Sequence, residues 1–238
     1  MFKRGIGHVE AILSFLLFIG FVFFALYFFS PVGNTNIIDS SLQYTLNKLI
    51  QNNSVEMLSF SVKINRNNIQ NGQRSIAVEF PPEVMNLPSN YKARAETYEG
   101  KYLPTTRTGN MVYFDIGTED FAIIKFCEDF PENTPASESP QWNQSAYTLA
   151  SSSSKQIISE KKILQMNNSY YSDYDQLKSQ FDIPGQVTFG YNIKIENYVI
   201  SGPKNIPVGV DVYSTLLRKE LLKKDGNSLF GEVSVQIW

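Results

Sequence analysis

Histidine and cysteine are almost absent from this chain of 238 residues, which carries one of each, His8 and Cys127. A single cysteine excludes an intramolecular disulfide framework and any zinc site built from several thiolates. A single histidine excludes most histidine-based metal sites and the commonest hydrolase arrangements, which set a histidine beside the nucleophile. Ser-Lys and paired-carboxylate mechanisms stay formally open. There is no P-loop, no dinucleotide fingerprint after a strand and no EF-hand spacing. Basic residues do not cluster and the net charge is −2, so the footprint of a nucleic-acid binder is missing. No cofactor, no metal site and no nucleic-acid partner is expected, and no catalytic constellation is assembled.

Charge is also missing from one long run. No residue from Ala11 to Phe29 carries a charge at neutral pH. About 19 residues at 1.5 Å rise reach roughly the 30 Å of a bilayer's hydrocarbon. Lys3 and Arg4 precede the run, and no Lys or Arg follows until Lys48. The positive-inside bias then leaves the N-terminus cytoplasmic and everything after Pro31 outside. A cleaved secretory signal needs a shorter apolar core and a small-residue site, for which FFSPVGNT is a poor match, and no cysteine closes the run as a lipid anchor would require.

One acid stands at the mouth of this run. The segment reads Lys3-Arg4-Gly5, then Ile6-Gly7-His8-Val9-Glu10, then the apolar helix. Ile6 and Glu10 are separated by one helical turn and share a helix face. This arrangement resembles the class III signal peptide of type IV pilins, archaeal ones especially. The resemblance implies that a prepilin-type membrane peptidase cuts after Gly5, making Ile6 the new N-terminus and leaving the helix on the mature chain. Glu10 then becomes the fifth mature residue, where the family keeps a glutamate that neutralises a neighbouring subunit's N-terminal amine during filament assembly. An alternative places Glu10 in the first turn of a helix, where a negative charge suits the macrodipole at the headgroup level. His8 reads as an interfacial residue.

Pro31 and Gly33 are poor in helix interiors and predict a break. Ile38, Leu42, Leu46, Leu49 and Ile50 then recur at helical spacing, so a second, amphipathic helix should pack on a folded head. A long helix interrupted by Pro and Gly, with an amphipathic half laid on a sheet, is also how the resembled pilins are built. The rest reads mainly as strands. Leu58, Phe60, Val62 and Ile64 alternate with polar partners, as do Ile76, Val78 and Phe80. The turn-rich NRNNIQNGQ between these two runs predicts an antiparallel meander. YKARAETYEGKYL, NMVYFDI and FAIIKFC continue the strand pattern, with Cys127 as a small apolar core residue of the last.

From Pro131 to Lys155 the chain is rich in Ser, Pro, Glu and Asn and predicts a long surface loop or a subdomain boundary. A short helix should follow, with Tyr170, Tyr174, Leu177 and Phe181 on one stripe, a Ser172–Asp175 box and a stop at Pro184-Gly185. VGVDVYSTLLRKELLKKDGNSLFGEVSVQIW is read as strands closing in a hairpin at Asp225-Gly226 rather than as a helix over 216–224. Glu128, Asp129 and Glu132, with Asp115, Glu119 and Asp120, would bind calcium only if their loops converged; solvated acidic loops are the plainer reading. Tyr170, Tyr171, Tyr174 and Trp142 would form a binding platform, although the tyrosine spacing favours core packing. Asn52, Asn143 and Asn167 each open an N-x-S sequon, a glycosylation signal on an exported surface.

The expected protein is α+β: a leader at 1–5, a transmembrane helix at 6–30, a break and amphipathic helix at 31–53, and a mostly antiparallel β-rich extracytoplasmic head at 54–238 with a Ser/Pro-rich loop near 131–155. Its expected partners are membrane lipid, pilin-like subunits or other surface proteins, and the processing peptidase. Its expected role is structural or adhesive, in a cell-surface filament or assembly; the alternative is a monomeric signal-anchored binding module.

Overall fold

The computed structural model describes residues 6–28, 32–81 and 87–238. The expected leader at 1–5, with Gly5, and the expected break at Pro31 lie outside the described residues. Helix α1 spans Ile6–Phe28 and α2 spans Val32–Asn52. From Glu10 to Tyr27, α1 is unburied and is long and apolar enough to cross a membrane, with Glu10 its one charged residue.

Helix α2 is amphipathic as its spacing predicts. Leu42, Leu46 and Leu49 are buried, and Ile38 and Ile50 pack at the margin. It ends through Asn53, a buried hinge residue whose backbone N–H and side-chain amide both donate to the Leu49 carbonyl, at 3.2 and 2.7 Å. The Asn53 carbonyl accepts from the Ser159 N–H at 2.8 Å, so the turn leaves no backbone group of this residue orphaned.

Twelve strands follow among the described residues: β1 Ser54–Ile64, β2 Ser75–Glu79, β3 Lys92–Thr97, β4 Tyr102–Leu103, β5 Thr105–Thr108, β6 Met111–Asp115, β7 Phe121–Cys127, β8 Tyr147–Ser159, β9 Phe189–Ile195, β10 Tyr198–Gly202, β11 Tyr213–Leu222 and β12 Ser228–Ile237. Between β8 and β9 lie α3, Glu160–Ser172, and α4, Tyr174–Gln180. A nine-stranded sheet runs β10-β9-β12-β11-β8-β1-β7-β3-β4, and a three-stranded sheet runs β2-β6-β5. Every pairing is antiparallel except β11 with β8, which is parallel and spans only Leu221–Ile158 and Leu222–Ser159.

That short parallel seam divides the large sheet into two halves with separate cores. In the C-terminal half, α2, α3 and α4 cover one face, burying Leu46, Met166 and Tyr170 against Tyr191, Ile193 and Val235. In the other half, the three-stranded sheet packs face to face on β1, β7 and β3, and Phe60, Phe80 and Phe126 meet edge to face at 5.0 to 5.9 Å between ring centres. A third, small cluster of Val55, Met57, Cys127, Phe130, Ile157 and Leu222 fills the seam. β1 serves both ends, burying Val55 and Met57 in the seam and Phe60, Val62 and Ile64 in the sandwich.

Four sequence expectations are corrected here. The predicted meander of the first two strands does not form, because Ile76 and Val78 of β2 face Phe60 and Val62 across the sandwich instead of pairing beside them. The intervening turn is bound elsewhere, with Arg66 donating to Asp120 at 2.8 Å and to the Gly117 and Glu119 carbonyls.

The second correction concerns the loop expected at 131–155, which is irregular only to Asn143. A short 3-10 turn, Gln144–Ala146, leads into β8, whose serines pair with β1 through a register shift at Ser61/Val62. Ladder hydrogen bonds need no apolar side chains, and the small exposed serines tolerate an extended backbone. Third, helix α3 precedes the predicted one. Ser159 caps it by accepting from the Lys162 N–H, and Ile163, Met166 and Tyr170 line its buried face. The predicted Ser172–Asp175 box is replaced by Asp173, which accepts from the Gln176 N–H at 2.9 Å and caps α4. Finally, the strand expected to include Val208–Val212 begins only at Tyr213, because Gly209 turns the chain with φ +83°.

The C-terminal hairpin forms as predicted, with Gly226 at φ +82° in its turn. Glycine suits the backbone angle, and a Cβ there would lie 2.2 Å from Arg94 Nη1 and displace that guanidinium. Cys127 is fully buried, and burial pushes its thiol up to about 11. A thiol reagent at neutral pH is expected to leave native Cys127 unmodified and to label it completely in denaturant. Native labelling at the rate of a free thiol would contradict this packing.

Candidate functional site

Ile6 opens the described part of α1, and Glu10 lies one turn further along, exposed to the surroundings. The first turn of α1 contains no acid, so Glu10 stands in the second turn. This corrects the alternative in which Glu10 neutralises the macrodipole from the first turn, since that effect fades beyond it. The side chains of residues 6–9, His8 included, lie outside the described residues.

The first half of α2 meets one end of the C-terminal half-sheet. Ile38 and Ser41 share a cavity of about 300 Å³ with Val187, Val210, Tyr213 and Trp238. The strand termini at this end are mutually tied: the Thr188 and Trp238 N–H groups each donate to the other's carbonyl, at 3.1 and 3.0 Å. Further along α2, Lys48 pairs with Asp182 at 2.7 Å and the Tyr44 hydroxyl donates to the Asp182 carbonyl at 3.2 Å. From Ile38 onward the helix is therefore fixed to the head.

The acidic residues considered for calcium are dispersed among separate partners. Asp129 accepts from Ser159 Oγ at 2.6 Å and pairs with Lys161; Glu128 pairs with Lys162, Glu132 with Lys92, and Asp120 with Arg66. Glu119 accepts from the Tyr98 N–H at 3.1 Å. Burial pulls Asp115 up, but hydrogen bonds from the Ser137 hydroxyl, Ser75 hydroxyl and Ser137 amide outweigh it and hold the carboxyl below its usual range. Among the described residues no three His, Cys, Asp or Glu side chains converge as a metal site.

The tyrosines resolve into core and surface. Tyr170 is buried and donates to the Phe189 carbonyl at 2.9 Å, an oxygen that also accepts from Tyr174 at 3.1 Å. Burial pushes the phenols of Tyr170 and Tyr191 well above their ordinary value. Tyr171 is exposed, and Trp142 lies on the other half of the head, donating to the Tyr147 hydroxyl at 3.2 Å. Trp142 and the tyrosines do not make one platform.

Of the sequon residues, Asn52 is exposed at the end of α2, its amide donating to the Lys48 carbonyl at 2.9 Å. Asn143 is exposed in a loop and accepts from the Ser145 N–H and hydroxyl at 3.0 and 2.8 Å. Asn167 lies within α3 and accepts from the Tyr191 hydroxyl at 2.7 Å, which places it poorly for modification.

Two larger concavities occur on the sandwich half. One, about 620 Å³, is lined by Tyr91, Thr105, Arg107, Glu132 and Asn133; the other, about 750 Å³, by Tyr98, Glu119, Asp120, Phe121 and Ile123. Burial lowers Arg107, whose guanidinium donates to the Tyr91 and Gly109 carbonyls and so serves the fold. The first also carries Lys92, whose ammonium pairs with Glu132 at 2.7 Å as an exposed ion pair.

An ionic cluster at the seam went unseen in the sequence. Arg94 and Glu96 on β3 are both buried, with Arg94 Nε 2.9 Å from Glu96 Oε1, and Lys125 of β7 closes on the other Glu96 oxygen. Arg94 also donates to the Asp225 carbonyl at 2.8 Å and to Asn227 Oδ1 at 2.7 Å, joining the sandwich to the C-terminal hairpin. The alternation of Arg94 and Glu96 on one strand face was the available signal. No family model matches the chain, no curated protein matches it, and no solved structure matches its fold.

Proposed function

We propose that this chain is a type IV pilin-like, membrane-anchored surface protein with a structural or adhesive role and no catalysis of its own. One observation carries the reading: exposed Glu10 stands one helical turn beyond Ile6, at the start of an uncharged helix that leads through α2 into a β-rich head. Cleavage after Gly5 would create an ammonium on Ile6 and put it on the same stripe as the Glu10 carboxylate. At a membrane edge each charge is costly alone, so the carboxylate is suited to meet such an amine, on its own chain or on a neighbour. The basic pair Lys3-Arg4 supports a cytoplasmic N-terminus and an extracytoplasmic head.

Intact mass of membrane-extracted protein tests the processing. A mature chain beginning at Ile6 is expected, and one still beginning at Met1 or Phe2 would overturn it. Glu10→Gln is expected to leave membrane insertion intact and to abolish recovery of assembled protein from sheared cells. Unchanged assembly of that variant would remove the filament role.

The sandwich half favours a second reading, because its apolar core contains no residue of α2. In that reading the chain is a monomeric anchored binding module. Exchanging residues 1–30 for an unrelated anchor should preserve function for a module and abolish it for a pilin-like subunit.

A further inference from the structure

We infer that the loop at 203–212 is a membrane-contacting tip, through which the base of the head rests on the bilayer surface beside its own anchor. This rests on the membrane-anchored reading of α1. The loop joins the end of β10 at Gly202 to the start of β11 at Tyr213, and so crosses the end of the half-sheet beyond β9 and β12. The same end meets the first half of α2, where Ile38 and Ser41 share a cavity with Val210, Tyr213 and Trp238.

The tether fixes what lies near that end. Three residues, 29–31, separate α1 from α2, a span of at most about 14 Å even when fully extended. Six further residues of helix, from Val32 to Ile38, add about 9 Å. The cavity at Ile38 is therefore held within roughly 23 Å of the end of the anchor.

The loop has the chemistry of an interfacial contact. Ile206, Val208, Val210 and Val212 are all exposed, and Val208 is fully so, at a turn made by Val208-Gly209 after the stiffening Pro207. A patch of aliphatic side chains at a protruding turn is unfavourable in water and favourable in the boundary between headgroups and acyl chains. Trp238 and Tyr213 stand behind it and Lys204 flanks it, with its ammonium 4.1 Å from the Tyr174 ring centre; aromatic and basic side chains are those that accumulate at that boundary. The occupant is lipid, because the short tether keeps this end beside the bilayer in every anchored molecule, whether or not a second copy is near.

The buried Cys127 permits a direct test with the full chain. Val208→Cys and, at the opposite end of the sheet, Asn197→Cys are each labelled with an environment-sensitive fluorophore and reconstituted in phosphatidylcholine–phosphatidylglycerol vesicles containing a lipid-borne quencher. At position 208 a blue-shifted emission and strong quenching are expected, and at 197 neither. Vesicle flotation of the same samples separates the two layers of inference. Protein that floats while position 208 stays water-like overturns the membrane tip alone. Protein that fails to float overturns the anchor and the tip together. Repetition in nanodiscs holding one chain each is expected to preserve the signal; its disappearance there would assign the loop to a second copy and overturn the lipid contact.

Discussion

Replacement of Arg94 by alanine is expected to lower the unfolding free energy by about 3 kcal/mol, the lower end for breaking a buried ion pair. The side chain is 7% exposed and its guanidinium serves two halves of the head at once, paired with Glu96 on its own strand and donating to Asp225 and Asn227 in the hairpin. Lys125 stays with Glu96 in the variant, so the carboxylate is not left alone, which places the loss below the upper values. Denaturant unfolding would measure it. A double-mutant cycle with Asn227→Ala should show coupling of about 0.5–3 kcal/mol, since the two side chains share a hydrogen bond. Additive effects would mean that Arg94 does not fasten the halves. The paired replacement Arg94→Met with Glu96→Leu should recover most of the stability, because matched apolar groups avoid the desolvation of a broken pair and Lys125 can extend to solvent.

Tyr170→Ala is expected to cost as much or more, about 3–5 kcal/mol, with the helical layer losing its order first. The Tyr170 ring is the centre of an aromatic group, with edge contacts to Tyr171, Tyr174, Phe189 and Tyr191 at 5.0 to 5.7 Å. Gly202 makes room for it: a Cβ there would lie 2.4 Å from the Tyr191 ring and 2.8 Å from the Tyr170 ring. Tyr170→Phe keeps the ring and removes a donor to the Phe189 carbonyl, which Tyr174 still satisfies, so a loss of about 1 kcal/mol is expected. Gly202→Ala should cost about 1–3 kcal/mol by overpacking the same place. Thermal melts of the three variants should therefore rank alanine at 170 lowest and phenylalanine highest; equal melts for the first and last would show that the ring is dispensable.

Legibility in the sequence followed the strength of the periodic signal. α1 was readable because no charge follows Glu10 in it, and α2 because Leu42, Leu46 and Leu49 recur on one face that the head buries. The closing hairpin was readable from Asp225-Gly226 and from Val233, Val235 and Ile237. β8 was hidden because a strand whose side chains are mostly exposed carries no apolar alternation; its reason for being extended is the ladder with β1, a partner far away in sequence. α3 was hidden behind an Asn- and Ser-containing stretch that reads as a loop, although Ser159 and the spacing of Ile163, Met166 and Tyr170 marked it. The division into two sheets depends on which apolar faces meet across the core, and one strand's pattern is the same whether its partner lies beside it or opposite. The register of Ile6 and Glu10 needed only the sequence, whereas the exposed valines near Gly209 acquire meaning from the end of the sheet on which the chain places them.

The junction at Asn53 has a mechanical consequence. Helix α2 passes through this one residue into β1, which lies in the large sheet with β8 on one side and β7 on the other. In the membrane-anchored reading proposed above, a pull on α2 is shared between its contacts with the head from Ile38 onward and β1, which it reaches along the axis of an interior strand. The hydrogen bonds of both flanking ladders run across that axis and resist together, in shear, instead of opening one after another as they would for a strand peeled from an edge. For a chain anchored as proposed, this junction takes load in shear across two ladders.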